Sequence, residues 1–442
     1  MSMITADENE LISRVEGDAP MGRVLRAHWI PACLSEELPE PDCDPVRVRL
    51  LGEDLVAFRD TDGRVGLIDE HCPHRRASLF YGRNEECGLR CLYHGWKFDI
   101  DGNCLEMASE PPESSFCDKV KVKSYPVVER AGFVWAWMGA REAMPEFDPP
   151  VVSPAPDTPI STCKVIVEAN WAQLVEGSLD SAHTAHLHAD EFRPAQVASA
   201  ESDGKTWQRP STDRSPRLYV ERTSFGLRYA AVRRPIKNAH THDYVRNTLY
   251  IAPYTVHIPP NNRHELTAMF VPRDDNSSVL YLSAWGGKQT PGLAEWRKFI
   301  CLEVGIDVDE TYRNLRNRSN NYKQDRQRMR LGSMSGIKGI ITQDIFTFET
   351  MGAIAQRNRE RLGASDIAIV EFRRQLVDAV RAAAAGGPIL GATEPRIPQA
   401  QLKSFEGVVP KGLDWRTLGC SDVELDIVAK QRALAGKADA AE

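Results

Sequence analysis

No apolar stretch in this sequence approaches the roughly 18 residues that a membrane span requires, and positive charge is not in excess. Lys and Arg number 55 against 62 Asp and Glu, a net charge of −7. The basic face that nucleic-acid binding demands is therefore missing. The first residues, "MSMITADENELISRVEGD", are acidic and lack the apolar core of a secretory signal. Internal repeats are absent as well. Ten cysteines lie scattered along 442 residues without a regular framework. That excludes a disulfide scaffold and favours free or metal-bound thiols in a reducing compartment, so the expected location is the cytoplasm. What remains is the profile of an ordinary globular protein, 42% apolar and 26% charged, long enough for two or three domains.

Residues 1–45 read as an N-terminal segment with a short helix and a Pro- and acid-rich stretch, "CLSEELPEPDCDP". From 46 the pattern turns to short strands. "VRVRLLGEDLVAFRDTDGRVGLID" alternates apolar and polar residues around a "TDG" turn, and "WKFDIDGNCLEM" and "GFVWAWMG" continue the theme. Residues 46–143 are thus expected to form a small all-β domain. The Pro-rich 144–159 reads as a linker, and 160–442 as a second domain mixing strands with helices, an α+β chain as a whole. Within it, "YRNLRNRSNNYKQDRQRMR" is a candidate mobile lid. "SDIAIVEFRRQLVDAVRAAAA" has helical spacing, and the Ala-rich tail is expected to fray.

Two Cys/His pairs stand on loops of the first domain: Cys72-x-His74 and Cys91-x2-His94, with sixteen residues between them. A structural zinc ribbon is one reading, but zinc sites usually space paired ligands by two to four residues. Here the first pair is split by a single residue and both pairs are mixed. Mixed pairs suit a two-iron cluster in which both thiolates bind one iron and both imidazoles the other, the ligand set of a Rieske [2Fe–2S] centre. His71 and Cys87 fit neither half and read as loop or packing residues. A second concentration occurs in "NWAQLVEGSLDSAHTAHLHAD", where Asp180, His183, His186 and His188 crowd one segment. On an α-helix, positions five apart point about 140° away from each other. His183 and His188 can therefore meet only if the helix ends or bulges between them.

The motifs "CPHR" and "CLYHGWKFD" resemble the Rieske family, and Asp180-x2-His183-x4-His188 resembles the iron-binding motif of Rieske non-haem iron ring-hydroxylating oxygenases. "NNYKQDRQ", "GIKGIITQD" and "LGASD" carry a closer resemblance to the oxygenase (alpha) components of the phthalate 4,5-dioxygenase group. The likeness spans nearly the whole chain. It implies an all-β Rieske domain joined to a helix-grip catalytic domain, an antiparallel sheet holding helices. It also implies a [2Fe–2S] cluster on Cys72, His74, Cys91 and His94, and a mononuclear Fe(II) held by His183, His188 and a distant carboxylate. Asp344 in "QDIFTFETMG" matches that carboxylate, with Glu349 and Asp366 as rivals; His186 is the structural neighbour. By the same resemblance Asp180 lies between the Rieske histidine of one subunit and an iron histidine of the next. There it would serve as an electron relay joining His94 to His183. The oligomer is expected to be built on trimers, as a trimer or hexamer, with electrons arriving from NADH through a flavin- and ferredoxin-type reductase. One departure is Gly177, where the family often has Asn.

An aromatic acid needs a cationic anchor in an apolar pocket, and Arg pairs with a carboxylate bidentately. "DYVRNTLYIAP" places Tyr244, Arg246, Thr248 and Tyr250 on one strand face, and Arg209 in "WQRPS" is a second candidate. The expected activity is cis-dihydroxylation of an aromatic carboxylate such as phthalate or a substituted benzoate, with O2. A monooxygenase or O-demethylase of an aromatic acid on the same scaffold is an alternative. So is a non-enzymatic Rieske electron carrier, which leaves His183, His188 and Asp344 unexplained.

Overall fold

The structure is a computed structural model and describes residues 4–111, 113–148, 150–198, 200–202, 206–260, 263–287, 289–393, 398–422 and 425. The chain divides into two compact units, one of Val15–Phe147 with Pro272–Asp274, the other of Met1–Arg14, Asp148–Val271 and Asp275–Glu442. No helix among the described residues is long and apolar enough to cross a membrane. The Ala-rich tail, expected to fray, lies outside the described residues.

The smaller unit holds three antiparallel sheets. Val46–Leu50, Glu53–Arg59 and Val65–Asp69 form one, and the "TDG" turn closes its second hairpin with Gly63 at φ +81. Arg83–Glu85, Gly88–Arg90, Trp96–Phe98 and Cys104–Met107 form another. The third joins Trp29–Leu34 and Val127–Arg130 to the wholly buried Phe133–Trp137. Residues 1–45, read from the sequence as one segment, therefore split. The run "WIPACL" is a buried strand of this unit, whereas residues before Val15 belong to the other. The Pro and acid content of the neighbouring stretch hid a strand whose side chains are almost all inside.

The larger unit is organised by an eight-stranded sheet. Its strands are β1 (Ile160–Val167), β2 (Arg217–Thr223), β3 (Gly226–Arg233), β4 (His242–Ile251), β5 (Thr255–Ile258), β6 (Glu265–Pro272), β7 (Ser278–Trp285) and β8 (Phe405–Pro410). The spatial order is β1-β7-β6-β5-β4-β3-β2, and β8 pairs antiparallel with β4. Every residue of β3 and β7 is buried. Burial on both faces is unusual for an antiparallel sheet, and it follows from the helices packed against it. The helices of this layer are α1 (Ala6–Ser13), α2 (Trp171–Leu179), α3 (Ile340–Thr350) and α4 (Ile367–Ala384), of which α2 and α4 lie on the sheet while α1 and α3 pack on other helices. α4 packs on β2 and β3, and α2 packs on β5, α3 and α4.

A buried ion triad locks these helices. The Glu176 carboxylate on α2 accepts from Arg357 Nε (2.7 Å) and from Arg373 Nε and Nη2 (both 2.9 Å). Arg357 Nη1 also donates to Asn9 Oδ1 (2.8 Å) and Ser13 Oγ (3.0 Å), which ties α1 to the same knot. α1 itself begins with a reciprocal cap, Thr5 Oγ1 accepting from Glu8 N and Glu8 Oε2 from Thr5 N. The candidate lid is anchored rather than free: Tyr322 is buried and its hydroxyl donates to Glu349 Oε2 (2.6 Å). Removing one member of a buried, charged triad strands the others. Glu176→Ala is therefore expected to destabilise the larger unit by about 3–5 kcal/mol, read as a lower midpoint in denaturant unfolding followed by tryptophan fluorescence.

Candidate active site

In the smaller unit the two Cys/His pairs come together at the edge of its core. Cys72 and Cys91 are buried with Val56, Phe58, Leu79, Leu89 and Phe98. The His74 and His94 rings lie 4.3 Å apart between centroids, and His74 stacks on Trp96 at 4.4 Å. Cys91–Gly95 forms the turn between the strands Gly88–Arg90 and Trp96–Phe98, with Cys91 N donating to Trp96 O (2.8 Å) and Gly95 N to Cys91 O (3.0 Å). Gly95 adopts φ +74, and a Cβ there would lie 2.8 Å from the Ala108 methyl. Burial and the neighbouring Cys91 push the Cys72 thiol up to about 11, against the pull of backbone N–H groups of His74 and Arg75. His94 is pushed down by burial, by His74 and by Arg75. His74 Nδ1 is buried with no protein partner. Two inward thiols and two imidazoles, one with an orphaned nitrogen, fit a [2Fe–2S] cluster. His71 and Cys87 stay outside this group: the His71 backbone N–H binds Asp69 (2.7 Å) and that of Cys87 binds Thr61 (2.9 Å).

In the larger unit the helical conflict between His183 and His188 resolves because the helix stops. α2 ends at Leu179, Asp180 caps it in extended geometry, and His183–Ala185 is a separate 3-10 turn. Asp180 Oδ1 accepts from Ala182 N (2.7 Å) and His183 N (3.3 Å), and its Oδ2 is 3.5 Å from His183 Nδ1. Burial raises the Asp180 carboxyl, yet His183 and these backbone N–H groups outweigh it and hold it below the usual carboxylate range. His183 Nε2 and His188 Nε2 lie 3.2 Å apart, and Asp344 Oδ1 lies 3.6 and 3.0 Å from them.

Whether this triad fits a metal turns on Gln343. Its amide nitrogen donates to Ile337 O (2.8 Å), so its carbonyl faces His188 Nδ1 at 2.6 Å. The Nδ1 then carries the proton and Nε2 offers its lone pair. Lone pairs of two imidazoles and a carboxylate converging on one point repel unless a cation stands between them, so the residues fit a mononuclear iron. His186 is exposed and takes no part. Of the rival carboxylates, Glu349 is engaged by Tyr322 and Asp366 caps Gly363 N (2.6 Å).

Asp180, His183, His188 and Asp344 open onto a cavity of about 160 Å³. Its walls are mostly apolar, among them Trp207, Phe270, Leu280, Leu282, Trp296 and Phe348, and Arg209 and Arg246 are its cations. Arg246 is buried and its Nε lies 3.4 Å from Glu406 Oε2, while the Tyr244 hydroxyl binds the other oxygen of Glu406. The Arg209 guanidinium carbon lies over the Phe192 ring, 3.8 Å from its centroid, and Arg209 donates to Thr184 Oγ1 (2.8 Å). Burial, Arg246 and Arg233 together depress the Arg209 pKa well below its ordinary value. Of the strand face expected around Arg246, Thr248 lines the cavity, whereas the Tyr250 hydroxyl turns to Pro253 O (2.8 Å). At Gly177 a Cβ would lie 2.1 Å from Phe348 Cε1. The phenyl ring thus fills the space that any side chain on residue 177 would take. Four participants escape sequence reasoning: Gln343, Glu406, Arg233 and Phe348. Gln343 and Phe348 had a signal, since they flank Asp344 on α3 by one and four positions.

Comparison with known proteins gives the family. A Rieske [2Fe-2S] domain model matches residues 28–126, and a "LigXa C-terminal domain like" model matches 136–439. The chain is 55% identical to the phthalate 4,5-dioxygenase oxygenase subunit of Pseudomonas putida, covering 94% of each chain. It is 35% identical to the 3-chlorobenzoate-3,4-dioxygenase oxygenase subunit of Comamonas testosteroni, covering 94% of this chain and 98% of the relative. Crystalline dicamba monooxygenase bound to dicamba shares the fold, with a TM-score of 0.53 at 20% identity over 82% of this chain and 99% of that one. The chain therefore belongs to the Rieske non-haem iron aromatic ring-hydroxylating oxygenases, as an oxygenase subunit with a [2Fe–2S] cluster and a mononuclear iron.

Gln343→Leu removes the carbonyl that sets the His188 tautomer. It is expected to weaken metal binding at the triad by roughly 10–100-fold, measured by equilibrium dialysis of Fe(II) or Co(II) against protein whose cluster is intact.

Proposed function

We propose that the chain is a terminal dioxygenase acting on an aromatic dicarboxylate of the phthalate type, with substituted benzoates as the nearest alternatives. The observation that carries this reading is the charge inside the cavity. Arg209 and Arg246 enter it, Arg233 lies close enough to act on both, and Glu406 is the carboxylate that faces them. Arginine stays protonated in proteins, and the Nε of both Arg209 and Arg246 is buried without a hydrogen-bond partner, so each guanidinium offers an unanswered donor to one carboxylate of a substrate. The apolar walls suit the ring between them. Relatives whose names carry phthalate and chlorobenzoate support the same class.

We assign Cys72, His74, Cys91 and His94 to the cluster and His183, His188 and Asp344 to the iron. Bound together, these groups supply stored electrons and an O2-binding position. Arg209 and Arg246 hold the carboxylates and so fix which ring edge faces the triad. The apolar walls exclude water. Gln343 keeps His188 in the tautomer that offers Nε2. Asp180, its carboxylate held ionised beside His183, is the relay from His94 of one protomer to His183 of a neighbouring one, in an oligomer built on trimers. NADH-derived electrons arrive through a separate flavin- and ferredoxin-type reductase. Ten cysteines with no disulfide among them fit the reducing cytoplasm.

Labelled O2 tests the reaction across phthalates, halobenzoates and methoxybenzoates: a cis-dihydrodiol carrying label on both hydroxyls is expected, and single labelling or demethylation points to the monooxygenase reading. Arg246→Ala should raise KM for a dicarboxylate by at least about tenfold, the loss of one buried charge-assisted pair, while barely moving KM for a neutral ring; equal effects remove Arg246 from the pocket. In Asp180→Asn protein with both metals loaded, single-turnover oxidation of the cluster should slow sharply, and an unchanged rate counts against the relay.

A further inference from the structure

Of the cavity's two arginines, Arg209 is also bonded to the segment that carries the triad histidines. Arg209 Nη1 donates to Thr184 Oγ1 (2.8 Å), and Thr184 is the residue after His183 in the metal-binding turn. The same hydroxyl donates to Ser181 O (3.0 Å), which accepts a second hydrogen bond from Arg233 Nη2 (2.8 Å). Ser181 in turn follows Asp180. A continuous chain of hydrogen bonds thus runs from Arg209, through one hydroxyl, to the backbone that carries Asp180 and His183. Arg233 does not line the substrate cavity. It lies on a separate recess that shares Arg209 and Phe192 with it, so Arg233 acts on the turn and not on the substrate.

We propose that Thr184 is a positioning residue linking the anion site to the metal site: a dicarboxylate on Arg209 tightens metal binding by His183, His188 and Asp344, and a bound metal tightens dicarboxylate binding by the same factor. The inference rests on the dicarboxylate reading above. Its physical basis is that Arg209 is buried, with its Nε N–H unpartnered, among cations that repel it. Without an anion, repulsion from Arg246 and Arg233 works against the stacked position of Arg209 over Phe192. A carboxylate neutralises that repulsion and supplies the missing acceptor, which holds Arg209 in place as donor to Thr184. The hydroxyl is then fixed at both ends, and the 181–184 backbone presents His183 in one orientation. In reverse, a metal that fixes His183 fixes Thr184 as the acceptor Arg209 needs. Equality of the two factors is a thermodynamic requirement.

A dianion near a metal also attracts it through space, so coupling in the unaltered protein is not enough to single out Thr184. Thr184→Val keeps shape and burial and removes only the hydroxyl, whereas Thr184→Ser keeps the hydroxyl. The test uses full-length protein with its cluster intact and its mononuclear site emptied by chelation. Co(II) affinity is measured by equilibrium dialysis with and without saturating phthalate, and phthalate affinity by calorimetry with and without Co(II). In the unaltered chain each ligand should tighten the other by on the order of tenfold. Thr184→Val should lose most of that factor while still binding phthalate in the absence of cobalt, and Thr184→Ser should retain it. The proposal is overturned if Thr184→Val couples as strongly as the unaltered chain, or if the Ser and Val variants lose coupling alike. It also falls if both variants lose phthalate binding outright, since Thr184 would then belong to the binding site itself. If the unaltered protein binds no phthalate at all, the dicarboxylate reading fails first and takes this inference with it.

Discussion

Everything at the iron site depends on a carboxylate that never touches it. Glu176 is buried on α2, one residue before Gly177, and its charge is sustained by Arg357 and Arg373 from elements far along the chain. Burial alone would neutralise such a group, but the two guanidiniums overcome it and hold its pKa below the ordinary value. Because Arg357 also reaches Asn9 and Ser13, four elements distant in sequence share one electrostatic knot. The end of α2 is thereby fixed in space, and the short segment from Asp180 to His188 hangs from that end. Buried charge networks are weak evidence for stability; here the network defines where a turn begins.

The cavity beyond that turn shows the complementary arrangement, positive charge left partly unanswered. Glu406 on β8 faces Arg246 Nε at 3.4 Å while its other oxygen takes the Tyr244 hydroxyl, and Thr184 occupies one nitrogen of Arg209, yet the Nε of both arginines has no hydrogen-bond partner. Buried donors without acceptors are costly, so their presence marks a place completed by another molecule. The apolar walls decide what lies between the charges, and the triad decides what happens there.

Much of this was legible in the sequence because the chemistry is carried by rare residue types at short spacing. Cys72, His74, Cys91 and His94 announce themselves, and so does the Asp180–His188 segment. The conflict between helical geometry and the spacing of His183 and His188 was itself informative, since it required a helix end that the structure supplies at Leu179. Asp344 was reached only through family likeness, being separated from the histidines by a whole sheet. Three kinds of feature stayed hidden. The strand Trp29–Leu34 was masked by neighbouring prolines and acids. Gln343 is an uncharged residue whose role exists only through the orientation of its amide. Arg233 and Glu406 lie on β3 and β8, which meet the site through β4, a pairing no local pattern reveals.

Phe348 resting where a side chain on residue 177 would otherwise be has a consequence for how this pocket can change. The two positions behave as a lock with a single key: a larger residue at 177 has no room while the ring is present, and removing the ring alone leaves a hole beside the helix that carries Asp344. Any route from this pocket to one with a larger side chain at 177 must alter both sites, so the paired substitutions are tolerated far more readily than either alone.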